Sequence, residues 1–356
     1  IYMSYYEVIV DRHMLLYSMN EKVSIIILDY NGLHFLKKCL PTILKQTYKN
    51  IEVVVVDNAS NDLSLQWLDR ESIKWAQKNR ILKVIRNKKN LGFAGGNNCA
   101  VQKSTGEFLF FLYNYTELLP NTIENLVACW GEKSIVSTRQ IPLNDKSYVG
   151  SAGAGMDIFG YPYVDDNPKK TRVFYADGVA LLIKKKDFID IGMFDKELFM
   201  FQEDIDLSWR ARMYGYSVIS CWEGKVYHFG GGTALGGQKK GEKYVSGYLR
   251  RYSNEKNVIR NILKNYSAPL HLCILILLLS IHFFEILGLM ILLKPKAALC
   301  YFKAYWWNIV HLKNTLTLRK KIQRKRIVPD LEIIRQVYFR YSKLYALTKV
   351  GIPDFQ

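Results

Sequence analysis

Three carboxylates stand close together in the segment QEDID, which contains Glu203, Asp204 and Asp206. A carboxylate can take the proton from an attacking alcohol if its side chain reaches the reacting group. Successive helix positions diverge by about 100°, so Glu203 and Asp204 cannot share that role. Alternatively, the acids only complement the positive end of a helix, and Asp206 has the i, i+4 spacing to pair with Arg210. The segment therefore predicts a proton-transfer site at the start of a helix that ends near Gly215.

The elements that would position this helix alternate between strands and helices. Continuous apolar, β-branched runs predict buried strands, and leucines at helical spacing predict the helices between them. The predicted strands are Val23–Leu28, Ile51–Val56, Leu82–Arg86 and Glu107–Leu112. This alternation favours an α/β fold with a mostly parallel sheet, whose ligand lies at the carboxyl ends of the strands. Polar residues follow all four strands, which indicates one crevice, although loops between strands and helices are commonly polar.

Five motifs, in this order, resemble those of family 2 glycosyltransferases of the GT-A fold. They are VSIIILDYNG, QTYKNIEVVVVDNAS, NLGFAGGNN, FDKELFMFQEDIDLSWR and YHFGGGT, and they run from about Val23 to Thr233. The resemblance implies a nucleotide-sugar-binding GT-A domain over residues 20–235. It also implies an inverting transfer in which Asp204 is the base and Glu203 lies beside it. The C-terminal tail resembles that of the rhamnosyltransferase-like, polysaccharide-assembly members, so the implied donors are dTDP-rhamnose or a UDP- or GDP-sugar.

The same resemblance assigns donor and acceptor contacts to particular residues. Asp57, at the end of the second predicted strand, would accept the imide N–H of the base, a discriminating contact in a dry cleft; capping of the following helix is the alternative. The glycines from Gly92 onward would let the backbone approach the donor closely. Asp177 and Gly178 would contact the acceptor. The implied donor-binding residues are Leu28, Tyr30, Asp57, Asn58, Gly92, Asn97 and Asn114.

The stretch FLYNYTELLP at 111–120 departs from the family pattern. In the family, an acid at the position of Tyr115 helps to hold Mg²⁺ or Mn²⁺, whereas a neutral tyrosine is a poor ligand for such hard cations. Three outcomes are open. The metal is held mainly by the donor diphosphate, water and His228, which matches a family histidine; or Glu117 replaces the missing acid; or the chain binds without turnover. We expect a weakly held metal.

Residues 236–356 form a basic and partly apolar region. From Gly237 to the end, about 22 Lys and Arg stand against about 6 Asp and Glu, in a chain of net charge +18. The apolar run Leu270–Leu293 has roughly the length that spans a bilayer, but both of its flanks are basic, which disfavours a single crossing. We expect a peripheral or re-entrant helical hairpin on the anionic, cytoplasmic face of a membrane. A buried pair of soluble helices is the alternative, and the apolar run disfavours nucleic acid as the partner of the basic residues.

Two further features bear on the compartment. The six cysteines contain no CxxC pair, so we expect neither a zinc site nor a disulfide framework, and buried reduced thiols favour the cytosol. Residues 1–19 lack the pattern of a signal peptide and are expected to be an extension that carries little of the function.

Two functions remain in competition. The first is an inverting glycosyltransferase that moves a sugar to a lipid-linked or cell-surface polysaccharide acceptor. The second is a catalytically impaired, glycosyltransferase-like binding module, which the replacement of the metal acid by Tyr115 suggests. The intact QEDID segment and His228 favour the enzyme.

Overall fold

The computed structural model describes residues 20–144, 149–165, 167–230, 236–240 and 243–356, so the predicted extension at 1–19 lies outside it. Its largest feature is an eight-stranded sheet with the strand order β3-β2-β1-β4-β9-β6-β10-β5. The strands are β1 (Val23–Asp29), β2 (Ile51–Asp57), β3 (Ile81–Arg86), β4 (Phe108–Tyr113), β5 (Thr116–Leu118), β6 (Ser134–Pro142), β7 (Gly155–Met156), β8 (Pro162–Tyr163), β9 (Ala180–Lys184), β10 (Ser217–His228), β11 (Gly236–Lys240), β12 (Lys243–Ser246) and β13 (Asp354–Phe355).

The helices fall into two groups, those inserted between strands and those of the C-terminal region. The first group is α1 (Leu33–Leu44), α2 (Ser64–Gln77), α3 (Gly92–Lys103), α4 (Thr122–Cys129), α5 (Lys185–Ile191) and α6 (Glu203–Met213). The second group is α7 (Tyr248–Asn265), α8 (Leu270–Ile291), α9 (Pro295–Val310), α10 (Leu312–Lys325), α11 (Asp330–Ile334) and α12 (Ser342–Val350).

The α/β prediction is confirmed. Strands β3, β2, β1 and β4 are parallel neighbours, and the register sets Asp29 opposite Asp57 at their carboxyl ends. Strand β9 then runs antiparallel between β4 and β6, so the sheet is mixed beyond its first half. The predicted bounds of the four strands agree closely with the observed bounds of β1 to β4.

Each face of the sheet has its own apolar core because side chains alternate along a strand. Val54 and Val56 point into one core, and Val53 and Val55 into the other. The first core also holds Ile205 and Leu207 of α6 together with Val258 and residues from α8 and α10. The C-terminal helices therefore share a core with the predicted GT-A domain across the boundary at 235 and 236.

Helices α8 and α9 form a helical hairpin, whereas the sequence suggested a hairpin within the apolar run Leu270–Leu293, which is a single helix in the structure. Helices α8 and α9 are joined through Leu292–Lys294 and pack against each other around Leu289 and Tyr301. Helix α8 is long and apolar enough to cross a membrane, and only 22% of its most apolar stretch is buried. This exposure disfavours the alternative of a buried soluble helix pair, while the relation of the hairpin to a membrane stays a prediction.

His282 and Glu285, two ionisable residues within this apolar run, face the protein, whereas Ser280 is exposed. His282 is fully buried, and its ring nitrogens lie 3.1 Å from the hydroxyls of Tyr161 and Tyr305. Glu285 accepts from the Tyr341 hydroxyl at 2.9 Å and from Lys343 at 2.7 Å. The outward face of α8 is thereby left mostly apolar.

The prediction of reduced thiols without a disulfide is wrong for one pair. Cys129 at the end of α4 and Cys221 in β10 form a disulfide across 92 residues of sequence, with Cα atoms 6.0 Å apart. Helix α4 packs on β10, and that tertiary contact cannot be read from cysteine spacing. The pairing removes the argument from reduced thiols for a cytosolic compartment.

Candidate active site

A cavity of about 1260 Å³ opens at the carboxyl ends of the strands. Its polar end is lined by Leu28 of β1, Asn114 after β4, His228 of β10 and the first residues of α6. Its other end is lined by α8, α12 and the C-terminal residues. One continuous space therefore connects the strand ends with the apolar hairpin.

Asp204 lies on the wall of this cavity, in the first turn of α6. Its Oδ2 accepts the backbone N–H of Gly178 at 3.0 Å, and its Oδ1 accepts the N–H of Ile205 at 2.8 Å. Gly178, which was expected to contact the acceptor, thus holds the carboxylate, and a Cβ there would lie 3.5 Å from that of Asp204. The carboxylate is fixed in one orientation beside Asp177, which also lines the cavity.

The environment of Asp204 suits a base that works near neutral pH. Burial, and then the charge of Asp177, raise its pKa to about 7, against hydrogen bonds that lower it. The neighbouring Glu203 is 2% exposed, and burial together with the Asp204 charge raises its pKa well above the ordinary value. Two adjacent carboxyl groups whose pKa values differ are typical of acid–base sites.

The segment that leads into α6 is conformationally restricted. Phe199, Phe201 and Gln202 have φ values of 64°, 66° and 70°, a region that side chains other than glycine rarely adopt. The Asn257 amide donates to the carbonyls of Leu198, Met200 and Phe201, at 3.0, 3.0 and 2.7 Å. Backbone strain of this kind persists only where the surrounding structure supports it. Helix α7, through Asn257, supports the strained turn that presents the acids of α6.

Asp206, the third acid, has a structural role. Its Oδ2 accepts from Arg210 at 2.9 Å, as the i, i+4 spacing predicted, and its Oδ1 lies 2.9 Å from Lys264 Nζ. Burial opposes ionisation of Asp206, but the charges of Arg210 and Lys264 prevail and lower its pKa. Lys264 also contacts Asp195 at 2.6 Å, so a buried charge network ties α6 to α7.

Several of the predicted donor-binding residues lie on the cavity wall. Tyr30 is 36% exposed at its rim, whereas the Asn58 side chain is 1% exposed and donates to Asn90 Oδ1 at 2.8 Å. The Asn114 amide donates to Asp29 Oδ1 at 2.6 Å. The predicted residues on this wall are Leu28, Tyr30, Asn58, Gly92 and Asn114.

Two predicted donor contacts are not on the cavity wall. Asp57 is 3% exposed behind it, and its Oδ1 is buried without a hydrogen-bond partner. Asn97 donates to the Phe93 carbonyl at 2.9 Å inside α3, and its donor contact stays a prediction.

The glycine-rich segment is helical, because α3 begins at Gly92. A Cβ at Gly92, whose φ is +69°, would lie 2.3 Å from the Phe199 carbonyl oxygen. A Cβ at Gly96 would lie 2.4 Å from Leu28. Both glycines therefore permit close packing of α3 against the segment before α6 and against β1.

Tyr115 and His228 share one side of the cavity. Their rings stack with centroids 5.3 Å apart, and His228 Nε2 is buried without a partner. Burial lowers the pKa of His228, with an opposing effect of Asp177, so the ring is neutral near pH 7. Burial raises the pKa of the Tyr115 hydroxyl, which is therefore a neutral group.

The side chains of this cavity do not fit a metal held by the protein. Within the described ranges, no three His, Cys, Asp or Glu side chains are grouped so that they could hold a metal ion. Glu117 lines a small adjoining pocket with Thr116 and Phe229 rather than this cavity, and its role as the replacement acid stays a prediction. His228 Nε2 is an available ligand atom beside Tyr115, and the Asp177 carboxylate lies within electrostatic range of both rings.

Sequence reasoning missed Gln202 and Arg250, which both line the cavity. Gln202 is the residue before α6, where its positive φ gives no signal in the sequence. Arg250 follows the glycine-rich segment after His228, and no motif marks it. The only available signal was the start of a helix after Gly247.

Comparison with known proteins identifies the fold of this site. Residues 24–192 match the model described as glycosyl transferase family 2. A curated relative, an uncharacterized glycosyltransferase from Haemophilus influenzae, is 30% identical over 43% of this chain and 48% of its own length. The chain spans about half the length of the first curated relatives that it matches.

Two solved structures share the fold. GalNAc-T7 with UDP, GalNAc and Mn²⁺ aligns with a TM-score of 0.53 and 20% identity, over 70% of this chain and 48% of the other. A mannosyltransferase from Pyrobaculum calidifontis with GDP-Man and Mn²⁺ aligns with a TM-score of 0.51 and 16% identity, over 86% of each chain. Both are glycosyltransferase structures, which confirms the predicted GT-A fold.

Proposed function

Because residues 24–192 match the model described as glycosyl transferase family 2, we propose that the chain transfers a sugar, with inversion, from a nucleotide-sugar donor to a lipid-linked or cell-surface polysaccharide acceptor. The observation that carries this proposal is Asp204, a carboxylate of raised pKa on the wall of a cavity at the strand ends. The two structural neighbours were solved with UDP and with GDP-Man, which supports a nucleotide-sugar donor. Assays with a panel of nucleotide sugars would identify the donor, which we expect to be dTDP-rhamnose or a UDP- or GDP-linked hexose.

The proposed reaction has one proton transfer and one substitution. Asp204 takes the proton from the acceptor hydroxyl while that oxygen attacks C1 of the donor sugar. The bond between C1 and the diphosphate oxygen breaks, and the nucleoside diphosphate leaves from the opposite face with the bonding electrons. Gly178 and Ile205 hold the carboxylate in orientation through the two hydrogen bonds described above.

The pH dependence of transfer follows from the raised pKa of Asp204. A base must be ionised, so kcat/KM should rise about tenfold per pH unit below about 7 and level off above it. An aspartate of ordinary pKa would give a flat profile from about pH 5.5 to 8. Initial rates measured between about pH 5.5 and 9 with subsaturating acceptor distinguish the two, and a flat profile would remove Asp204 from the role of base.

The apolar end of the cavity supports a lipid-linked acceptor. One face of α8 lines it, and across the space lie side chains of α12. A Cβ built on Gly288 meets nothing within 4 Å, so the wall there is open. The residues concerned are Ile281, Phe284, Gly288, Leu289 and Leu292 of α8 and the loop after it, and Leu344, Leu347 and Val350 of α12.

A bulky side chain at Gly288 should separate lipid-linked from soluble acceptors. The variant Gly288→Phe would displace about two methylenes of a bound chain, at ~0.8 kcal/mol each, which corresponds to about a tenfold loss in kcat/KM. A short, water-soluble acceptor should be used equally well by variant and wild type. The control is Leu287→Phe, whose side chain is 48% exposed on the outer face of α8. Equal effects on both acceptors would count against a lipid in this space.

The outer surface of the hairpin supports a membrane partner rather than nucleic acid. Large apolar side chains are exposed along α8 and α9, including Ile276, Phe283 and Trp306 at 64%, 63% and 68%. Exposed apolar surface of this extent beside many Lys and Arg side chains suits an anionic lipid surface. We propose peripheral or re-entrant attachment at the cytoplasmic face.

A binding module without turnover is the second candidate. Tyr115, in the position of the family's metal-holding acid, is the observation that favours it. If Tyr115→Asp created transfer in a protein that otherwise only binds sugar nucleotides, this candidate would replace the first.

A further inference from the structure

The leaving nucleoside diphosphate carries negative charge that must be neutralised as the C1–O bond breaks. The cavity supplies acids for this reaction more readily than cations. Asp177, Glu203 and Asp204 line its polar end, and the position of the family's metal acid is Tyr115. A cation of the chain itself could supply this charge where no protein-held metal fits.

Three Lys or Arg side chains line the cavity within the described part of the chain, namely Arg250, Arg251 and Lys343. Lys343 is engaged with Glu255 at 3.0 Å and with Glu285 at 2.7 Å. Arg251 lies 3.5 Å from Glu255. No carboxylate among the described residues forms an ion pair with Arg250.

The surroundings of Arg250 hold its side chain at the reacting end. The guanidinium carbon lies 4.5 Å from the centroid of the Phe201 ring, two residues before Glu203. Its Nε is buried and has no hydrogen-bond partner. Burial raises the pKa of Tyr115, and the charge of Arg250 acts against it, which shows that the cation lies within electrostatic range of that ring. A buried arginine N–H without a hydrogen-bond acceptor destabilises the folded state, and a bound anion would provide the acceptor.

The backbone adds to this positive region. Arg250 is the third residue of α7, an 18-residue helix, and Gly247, Tyr248 and Leu249 also line the cavity. The first-turn amides of a helix have no carbonyl partner within the helix and carry partial positive charge. The Tyr248 N–H already donates to the Gln356 carbonyl at 3.2 Å, so the donors of this region are the Arg250 side chain and the N–H groups of Leu249 and Arg250.

We propose that Arg250 and the first turn of α7 bind a phosphate group in this cavity, and that they supply the charge which a metal held at the position of Tyr115 supplies in the family. The inference rests on the proposed function for its role in transfer, but phosphate binding itself does not. The phosphate has two possible sources, the donor diphosphate and a phosphate of a lipid-linked acceptor. Arginine suits either, because its planar N–H groups match phosphate oxygens in pairs.

The test measures binding by calorimetry in the presence of EDTA, so that it does not depend on turnover. Inorganic pyrophosphate, UDP, GDP, dTDP and decyl phosphate are the probes, with the full-length chain in detergent. The wild type should bind pyrophosphate without metal, and Arg250→Met should weaken that binding about tenfold to a hundredfold. Arg250→Lys should give an intermediate loss. Lys303→Met, which removes an exposed charge on α9, should bind as the wild type does.

The arms of this experiment identify the source. A loss confined to nucleoside diphosphates assigns the site to the donor, and a loss confined to decyl phosphate assigns it to the acceptor. Unchanged affinities in Arg250→Met, or wild-type binding that EDTA abolishes, would overturn the proposal. A protein that binds pyrophosphate through Arg250 but transfers no sugar would refute the proposed function and leave this inference intact.

Discussion

Asp204→Asn is expected to lower kcat for sugar transfer by about 10²- to 10⁴-fold, the range that general-base catalysis contributes. The amide cannot accept the proton of the acceptor hydroxyl, but its oxygen can still accept the Gly178 N–H that Asp204 Oδ2 accepts at 3.0 Å. The donor should therefore bind with nearly unchanged Kd. Transfer rates and donor titrations on the same preparation measure both quantities.

The stability of this variant provides a check that it remains folded. The pKa of Asp204 rises from 3.8 to about 7 in the folded protein. Between pH 3.8 and about 7, the folded state retains a proton that the unfolded chain has lost. The contribution of Asp204 to the free energy of unfolding is therefore fully present below pH 3.8 and is lost as the pH rises through about 7. Asparagine has no such loss, and Asp204→Asn should unfold at the same or a higher temperature at about pH 8.

Asp69→Asn is the matched control. Asp69 lies in α2, and among the described residues its carboxylate forms an ion pair only with the exposed Arg86, at 2.7 Å. Its transfer rate should equal that of the wild type. Wild-type turnover in Asp204→Asn would end the assignment of Asp204 as the base, whatever the remaining motifs suggest.

Lys264→Met is expected to reduce the free energy of unfolding by about 3–5 kcal/mol, the cost of removing one partner from a buried ion pair. Lys264 is fully buried between Asp195, at 2.6 Å, and Asp206, at 2.9 Å. Without its charge, the two carboxylates face each other in a region that excludes water. Because Asp206 belongs to α6, we also expect slower transfer from a less rigidly held Asp204.

Denaturant unfolding, followed by tryptophan fluorescence, measures this loss. The control is again Lys303→Met, which removes the same group from an exposed position and should change stability by no more than about 0.5 kcal/mol. A Lys264→Met protein as stable as the control would show that α7 does not support α6 through this network.

The first half of the fold could be predicted because its strands are short and continuous in apolar sequence, and three of its four strands are mostly buried. Val23–Asp29 and Ile51–Asp57 required only local composition, and the order of motifs supplied the rest. The helix that begins at QEDID could be predicted from its motif and from the glycine that follows it. Its observed end at Met213 agrees with the predicted end near Gly215.

The supports of the site could not be predicted, because they are contacts between distant segments. The local sequence does not indicate that Lys264 contacts Asp206, or that Asn257 donates hydrogen bonds to the turn before α6. The glycines of α3 were interpreted as donor contacts, but packing against Phe199 and Leu28 requires them. Arg250 belongs to no motif, and only the tertiary structure brings it near Tyr115.

The most direct test of the central claim is a donor panel with product detection. The wild-type chain in anionic lipid vesicles, with a lipid-linked acceptor, is incubated with dTDP-rhamnose, UDP-sugars and GDP-sugars, and nucleoside diphosphate release is followed. We predict acceptor-dependent release from at least one donor by the wild type and by Asp69→Asn, with none above background from Asp204→Asn. Binding of a donor without release, or release that persists in Asp204→Asn, would contradict the account.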